Sequence, residues 1–170
     1  MEGLQELNLS GNLLSDVTAV ALARGLRLRG MPELQDLRLN HNRVGNEGAR
    51  SLAEAIGEGV CPTLSDLWLG ANRISDGGAA ALARMLSPSS HGVWSVTTLA
   101  LYSNTIGDGG AMALLDAVEG RLRVREHQLA SRTRAVPLVT VLLFGHAIQS
   151  EHVVQRMLHT PGMEVRNEHL

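Results

Sequence analysis

Seven histidines, one cysteine and two glycine pairs are the residues from which a catalytic or metal centre could be built. His146, His152 and His159 gather near the C-terminus, separated by 6 and 7 residues. Only the last two can share a helix face, and no third ligand or carboxylate stands at ligand spacing. Gly77-Gly78 and Gly109-Gly110 lack the Lys of a phosphate loop and the downstream acid of a dinucleotide site. No serine has the context of a nucleophile elbow. Cys61 occupies a loop slot held elsewhere by Met31 and Val93, so it reads as filler, and a lone cysteine excludes an internal disulfide. The expectation is therefore no catalytic residue, no cofactor, no metal and no small-molecule substrate.

Charge offers two further candidates. Glu6, Asp36 and Asp66 recur at equivalent places, with Arg38 beside them, and read as a mixed polar surface. Residues 119–134 hold five Arg against two Glu in a chain whose net charge is -2. That run could attract an acidic partner or nucleic acid, or be a lengthened helix or loop with a solvated outer face. The second reading is preferred, because no aromatic is interleaved to stack on bases. All 15 cationic residues are Arg. The weak net charge gives no reason to seek nucleic acid or an anionic membrane. No apolar run approaches the ~18 residues of a membrane span. The N-terminus does not read as a signal peptide. A cytoplasmic location is expected.

What must position these residues is a repeat. The phrase Leu-x-x-Leu-x-Leu-x-x-Asn-x-apolar appears as Leu4, Leu7, Leu9, Asn12, Leu14 and again as Leu34, Leu37, Leu39, Asn42, Val44. It returns as Leu64, Leu67, Leu69, Asn72, Ile74 and as Val96, Leu99, Leu101, Asn104, Ile106. A worn fifth copy is Leu138, Val141, Leu143, His146, Ile148. The asparagines are 30, 30 and 32 residues apart, and His146 follows 42 later. Four residues beyond each comes a helix-capping type, namely Asp16, Asn46, Asp76, Asp108 and Ser150. A stripe at i, i+3, i+4, i+7 then marks a short amphipathic helix, for example Ala79, Leu82, Ala83 and Leu86. Gly48, Gly78 and Gly110 fall early in three of these helices, either to admit a neighbour or only to loosen the turn.

One strand-turn-helix unit cannot bury its leucines; stacked units bury them against each other. The fold class expected is α/β, a solenoid or horseshoe of about five units, with a parallel sheet on the concave face and helices on the convex face. The units run about 4–33, 34–63, 64–95, 96–137 with an insertion near 119–134, and 138–160 as a degenerate closing unit, within a single domain 1–170. Asn12, Asn42, Asn72 and Asn104 should form a structural ladder, because a buried amide satisfies the backbone groups stranded where each strand bends. Leu4 is already a core position, so a piece of a longer array is expected, with Leu7, Leu9 and Leu22 facing water.

The repeat phrase, its ~30-residue period and the continuation Asp76-Gly77-Gly78-Ala79-Ala80-Ala81-Leu82-Ala83 resemble the ribonuclease-inhibitor-like leucine-rich repeats. The resemblance covers residues ~4–158. That group includes ribonuclease inhibitors, NOD-like receptor arrays, Ran GTPase-activating proteins and tropomodulin-type actin cappers. It implies a non-catalytic surface that holds another protein. Regulation of a small GTPase and a structural spacer in a cytoskeletal or axonemal protein are the alternatives.

Strand alternation shows which residues face the partner. The positions between the leucines are Glu6, Asn8, Ser10, then Asp36, Arg38, Asn40, then Asp66, Trp68, Gly70. Thr98, Ala100, Tyr102 and Thr140, Leu142, Phe144 follow. Trp68, Tyr102 and Phe144 are three of the four aromatics, and with Leu142 they would make an apolar patch. They are read equally as partner anchors or as rings packed on each other. Arg38, Asp36 and Asp66 complete the expected docking face. Five strands give a sheet face of roughly 300 Å² in projection, less than the ~800 Å² a standard interface takes from each partner. Trp94, where earlier units carry Pro32 and Pro62, should plug the loop before its strand.

Overall fold

The computed structural model describes residues 3–87, 95–130, 139–144 and 148–166. Strand and helix alternate throughout: β1 Glu6–Asn8, α1 Asp16–Arg29, β2 Asp36–Arg38, α2 Asn46–Gly57, β3 Asp66–Trp68, α3 Asp76–Leu86, β4 Thr98–Ala100, α4 Asp108–Ala130, β5 Thr140–Phe144, α5 Glu151–Leu158 and β6 Met163–Arg166. The strands form one parallel sheet in chain order. Register is strict: Leu7, Leu37, Leu67, Leu99 and Val141 fall on one row. All but the first of these are fully buried. From the other side the helices deliver Ala19, Ala23, Leu26, Ala49, Leu52, Ala79, Leu82, Ala111 and Leu114 to the same core. Small Ala at two stripe positions lets successive helices approach closely, which is why this core needs few rings.

The asparagines act between units. Asn72 Nδ2 donates to Leu69 O in its own turn (3.0 Å) and to Leu39 O of the unit before (2.9 Å), while its Oδ1 accepts from Val44 N–H (3.0 Å). Asn42 and Asn104 repeat the pattern. Asn12 is exposed, and its amide reaches only Ser10 O. His146 and Leu138 lie outside the described residues.

The capping residues depart from expectation. None caps its own helix, because each sits at the first helical position or, for Ser150, just before it without a side-chain cap bond. Four of them bond instead to the backbone at the entry of the next helix, and two, Asp16 and Asn46, cap its first turn. Asp16 Oδ1 accepts from Gly45 and Gly48 N–H (2.6 and 2.9 Å), and Asn46 Oδ1 from Ser75 and Gly78 N–H (both 2.9 Å). Asp76 serves Gly107, and Asp108 serves Gln149 and Ser150. In α2 and α3 one orphan donor of the first turn, Gly48 or Gly78 N–H, is thus satisfied by the preceding unit. The same contact explains the early glycines. A methyl on Gly48 would lie 2.7 Å from Asp16 Oδ1 and 2.8 Å from Ala19 Cβ, so the first of the two readings above holds there.

The C-terminal end holds a strand that the sequence pattern missed. The segment after Pro161 reads as a polar tail, yet β6 pairs with β5 from Val141↔Met163 to Phe144↔Arg166. Gly162 makes this possible: its φ is +90°, and a side chain there would run into Val139 O. No helix among the described residues is long and apolar enough to cross a membrane.

Candidate functional site on the concave face

Two rows cross the middle of the sheet. The first is Glu6, Asp36, Asp66, Thr98 and Thr140; the second is Asn8, Arg38, Trp68, Ala100 and Leu142. Both lie on the face away from the helices, because the leucine row between them points into the core.

The polar half is an ion-paired cluster. Arg38 Nη2 lies 2.7 Å from Asp36 Oδ2 on its own strand, and its Nη1 lies 3.1 Å from Glu6 Oε1 on β1. The bond to Asp36 dominates and holds the guanidinium above its ordinary pKa, with Glu6 and Asp66 adding attraction. Asp66 is itself engaged by the Ser65 hydroxyl. So Asp36, Asp66 and Arg38 come together as a locally compensated patch.

The apolar half is a row. Trp68 is half-buried at the end of β3, next to fully buried Ala100 and, one strand on, half-buried Leu142. Arg38 pairs with Trp68 on the other side, so the indole stands where charge gives way to hydrocarbon. Its Nε1 is buried with no hydrogen-bond partner among the described residues.

Tyr102 lies in the turn after β4 rather than in a strand. Its ring occupies the space above Gly70, where an added Cβ would collide with it, and meets the edge of the His41 ring at 6.5 Å between centroids. It is half-buried, so part of its surface goes to packing within the chain. Phe144 ends β5 opposite Arg166, but its side chain lies outside what is described. Trp94 lies outside the described residues.

The basic run 119–134 is broken up as far as it is described. The helix α4 continues through it to Ala130, and residues 131–134 lie outside the described residues. Arg121 is buried, its Nη1 donating to Val96 O at 2.9 Å, and burial pushes the guanidinium down to about 10. Glu119 lies 2.8 Å from Arg156 on α5 and 3.3 Å from Arg123. Spacing alone gave no sign that Arg121 turns inward or that Arg156, outside the run, is the main partner of Glu119. Among the described residues no three His, Cys, Asp or Glu gather as metal ligands, and the Cys61 thiol is buried and pushed above its usual pKa.

Family comparison agrees with this geometry. A leucine-rich repeat model matches residues 31–53, 60–83 and 95–115, and a second leucine-rich repeat model matches residues 3–24. A search of curated proteins returned no match. Each matched segment begins within a few residues of a strand and takes in the Asn of the following turn and the start of a helix. Leucine-rich repeats are typically protein-interaction modules without catalytic function. With its six parallel strands, its alternating helices and its inter-unit asparagines, the chain belongs to the leucine-rich repeat family.

Proposed function

We propose that this chain is a non-catalytic module of the ribonuclease-inhibitor-like type that holds a partner protein on its concave face. The contact centres on Trp68. The observation that carries the reading is the row Arg38–Trp68–Ala100–Leu142, which sets an ion-paired cation, a wide indole and an aliphatic side chain across adjacent strands. Trp and Arg are the side chains most often found to anchor interfaces. The indole N–H gives further support. A buried donor without an acceptor costs about 1–3 kcal/mol. A small turn of the ring toward a partner's carbonyl or carboxylate would recover that cost. Tyr102 and Phe144 extend the contact along the strand ends, and Asp36 and Asp66 favour a cationic group on the partner.

The test is quantitative capture with the whole chain as bait, comparing the parent, Trp68→Ala and Leu142→Ala. A central anchor predicts at least a ~30-fold loss of affinity for Trp68→Ala, the ratio that corresponds to about 2 kcal/mol. Trp68 is only half-buried, so Tm should fall by no more than about 4 °C. If Trp68→Ala and Leu142→Ala keep full affinity, the concave face is not the docking face and a spacer role is favoured.

A further inference from the structure

The turn after each strand stacks on the corresponding turn of the unit before. Arg43 N–H donates to Leu14 O (2.7 Å), Arg73 N–H to Val44 O (2.8 Å) and Thr105 N–H to Ile74 O (2.8 Å). Equivalent turn residues therefore stand in a row along the rim of the sheet, with backbones about 5 Å apart in adjacent units. Within each turn the side chains alternate. Asn42, Val44, Asn72 and Ile74 are buried, while Arg43 and Arg73 between them are exposed. The rim thus sets two guanidinium groups in neighbouring rungs, where like charges repel. Among the described residues neither forms an ion pair. The acids at the adjacent helix starts are turned elsewhere: Asp16 accepts from Gly45 and Gly48 N–H, and Asp76 from Gly107 N–H. Glu47, exposed in the first turn of α2, forms no ion pair among the described residues either.

The repeat does not ask for charge at this position, since the first and fourth units carry Leu13 and Thr105 there. Among the described residues it is also the one position at which adjacent units both carry Arg. Arg24 and Arg84 recur at another, but they lie two units apart with Glu54 between them. The rim is continuous with the concave face: His41, exposed two residues before Arg43, meets the Tyr102 ring that lies over Gly70. Charge is therefore sorted along the strands. Glu6, Asp36 and Asp66 open β1, β2 and β3, and Arg43 and Arg73 lie in the turns beyond β2 and β3.

We infer that Arg43 and Arg73 together take the carboxylates of an acidic segment, carried by the protein that the concave face holds; the choice of occupant rests on that docking reading. Each guanidinium presents a planar fork that donates two parallel N–H bonds to a carboxylate. A carboxylate lying between the two also offsets their mutual repulsion, so this pair gains more from an anion than a lone surface arginine does. A short acidic stretch is favoured over nucleic acid. The acids at the strand starts and the net charge of -2 repel a long polyanion, whereas a short stretch meets only the rim. The bound protein then has a direction, with its acidic segment over the turns and any cationic part over Asp36 and Asp66. Exposed charges of this kind act on encounter and orientation more than on raw affinity, which gives the rim a different part from that of Trp68.

The probe is fluorescein-labelled hexaglutamate, followed by anisotropy with the whole chain at about 20 mM salt, where screening is weak. The parent should bind it with a submillimolar Kd. Arg43→Gln/Arg73→Gln should weaken binding about tenfold, the loss expected for two exposed charge pairs, with unchanged circular dichroism. Arg24→Gln/Arg84→Gln removes the same charge from α1 and α3 and should bind like the parent. A parent that does not bind overturns the proposal, and so do two double variants that weaken alike. Hexathymidylate that binds through the two arginines more tightly than hexaglutamate overturns the acidic-protein assignment. In a nuclear magnetic resonance titration the Nε–H signals of Arg43 and Arg73 should move, and shifts confined to other arginines would count against the rim. Trp68→Ala should leave hexaglutamate binding unchanged. In the capture assay, an Arg43→Gln/Arg73→Gln chain that keeps the parent's affinity and on-rate while Trp68→Ala loses the partner overturns the rim and leaves the concave reading standing. Should Trp68→Ala and Leu142→Ala both keep full affinity, the concave reading falls while hexaglutamate still decides the rim.

Discussion

Asn72→Ala tests the inter-unit ladder at a single atom. Apart from a longer bond to Gly70 O (3.2 Å), which His41 N–H also serves, the amide touches three buried backbone groups, and their dependence on it differs. Leu39 O also accepts from Asn42 (2.9 Å), and Leu69 O also accepts from Asn104 (2.9 Å), so both carbonyls keep a donor after truncation. Val44 N–H has only Asn72 Oδ1, and Val44 is fully buried. Truncation therefore orphans one donor outright and halves the service to two acceptors. An orphaned buried donor costs about 1–3 kcal/mol, and the two weakened carbonyls add up to about 1 kcal/mol. The expected loss is about 3 kcal/mol, or roughly 6–12 °C in Tm for a chain of this size. Asn12→Ala is the control. Its amide makes one exposed bond to Ser10 O, so the cost should stay below about 0.5 kcal/mol. Urea titration followed by circular dichroism measures both. Equal losses for the two variants, or a loss under about 1 kcal/mol for Asn72→Ala, would refute the claim that the ladder works through otherwise orphaned N–H groups.

Two further outcomes follow from contacts between units. Gly78→Ala should destabilise by about 1–2 kcal/mol despite the helix preference for Ala, because its methyl would sit 2.8 Å from Asn46 Oδ1; Gly25→Ala, with nothing within 4 Å, should stabilise by up to about 1 kcal/mol. Glu119 is held below the ordinary glutamate pKa chiefly by its hydrogen bond from Arg156. That pair stabilises the contact between α4 and α5 above the unfolded value near 4.3 and is lost as pH falls through the lower folded value. Hydrogen exchange in α5 should therefore rise below about pH 4, and Arg156→Met should remove the dependence.

The sheet, the helices and their order were legible because the leucine phrase fixes both the period of each strand and the spacing between strands. The rows of the concave face followed from the same register, which is why Arg38, Trp68 and Leu142 fall where alternation puts them. Legibility failed wherever a residue's partner lies a whole unit away. Asp16 and Asn46 have the composition of local caps, and nothing in a single unit shows that their oxygens reach across to the next. Tyr102 was read with Trp68, Phe144 and Leu142 as part of one apolar patch, but Gly70 beneath it leaves a space that it fills. Arg121 looked solvated beside other arginines, though helix phase turns it inward toward Val96 O. β6 was missed because four residues after a Pro-Gly turn carry no repeat phrase, and their pairing depends on the left-handed Gly162.

The cross-unit bonds have a mechanical consequence. Asp16, Asn42, Asn46 and Asn72 tie each unit to its immediate neighbour and to no other. Tension applied between the chain ends meets these ties one junction at a time, so the solenoid yields by peeling rather than by rupturing at once. A unit of 30 residues pays out about 100 Å of extended chain when it lets go. The 42-residue step beyond Asn104 would give about 140 Å. Under load the molecule is an extensible link that lengthens in near-equal increments with one longer stride, and a partner held across several strands would clamp those increments shut.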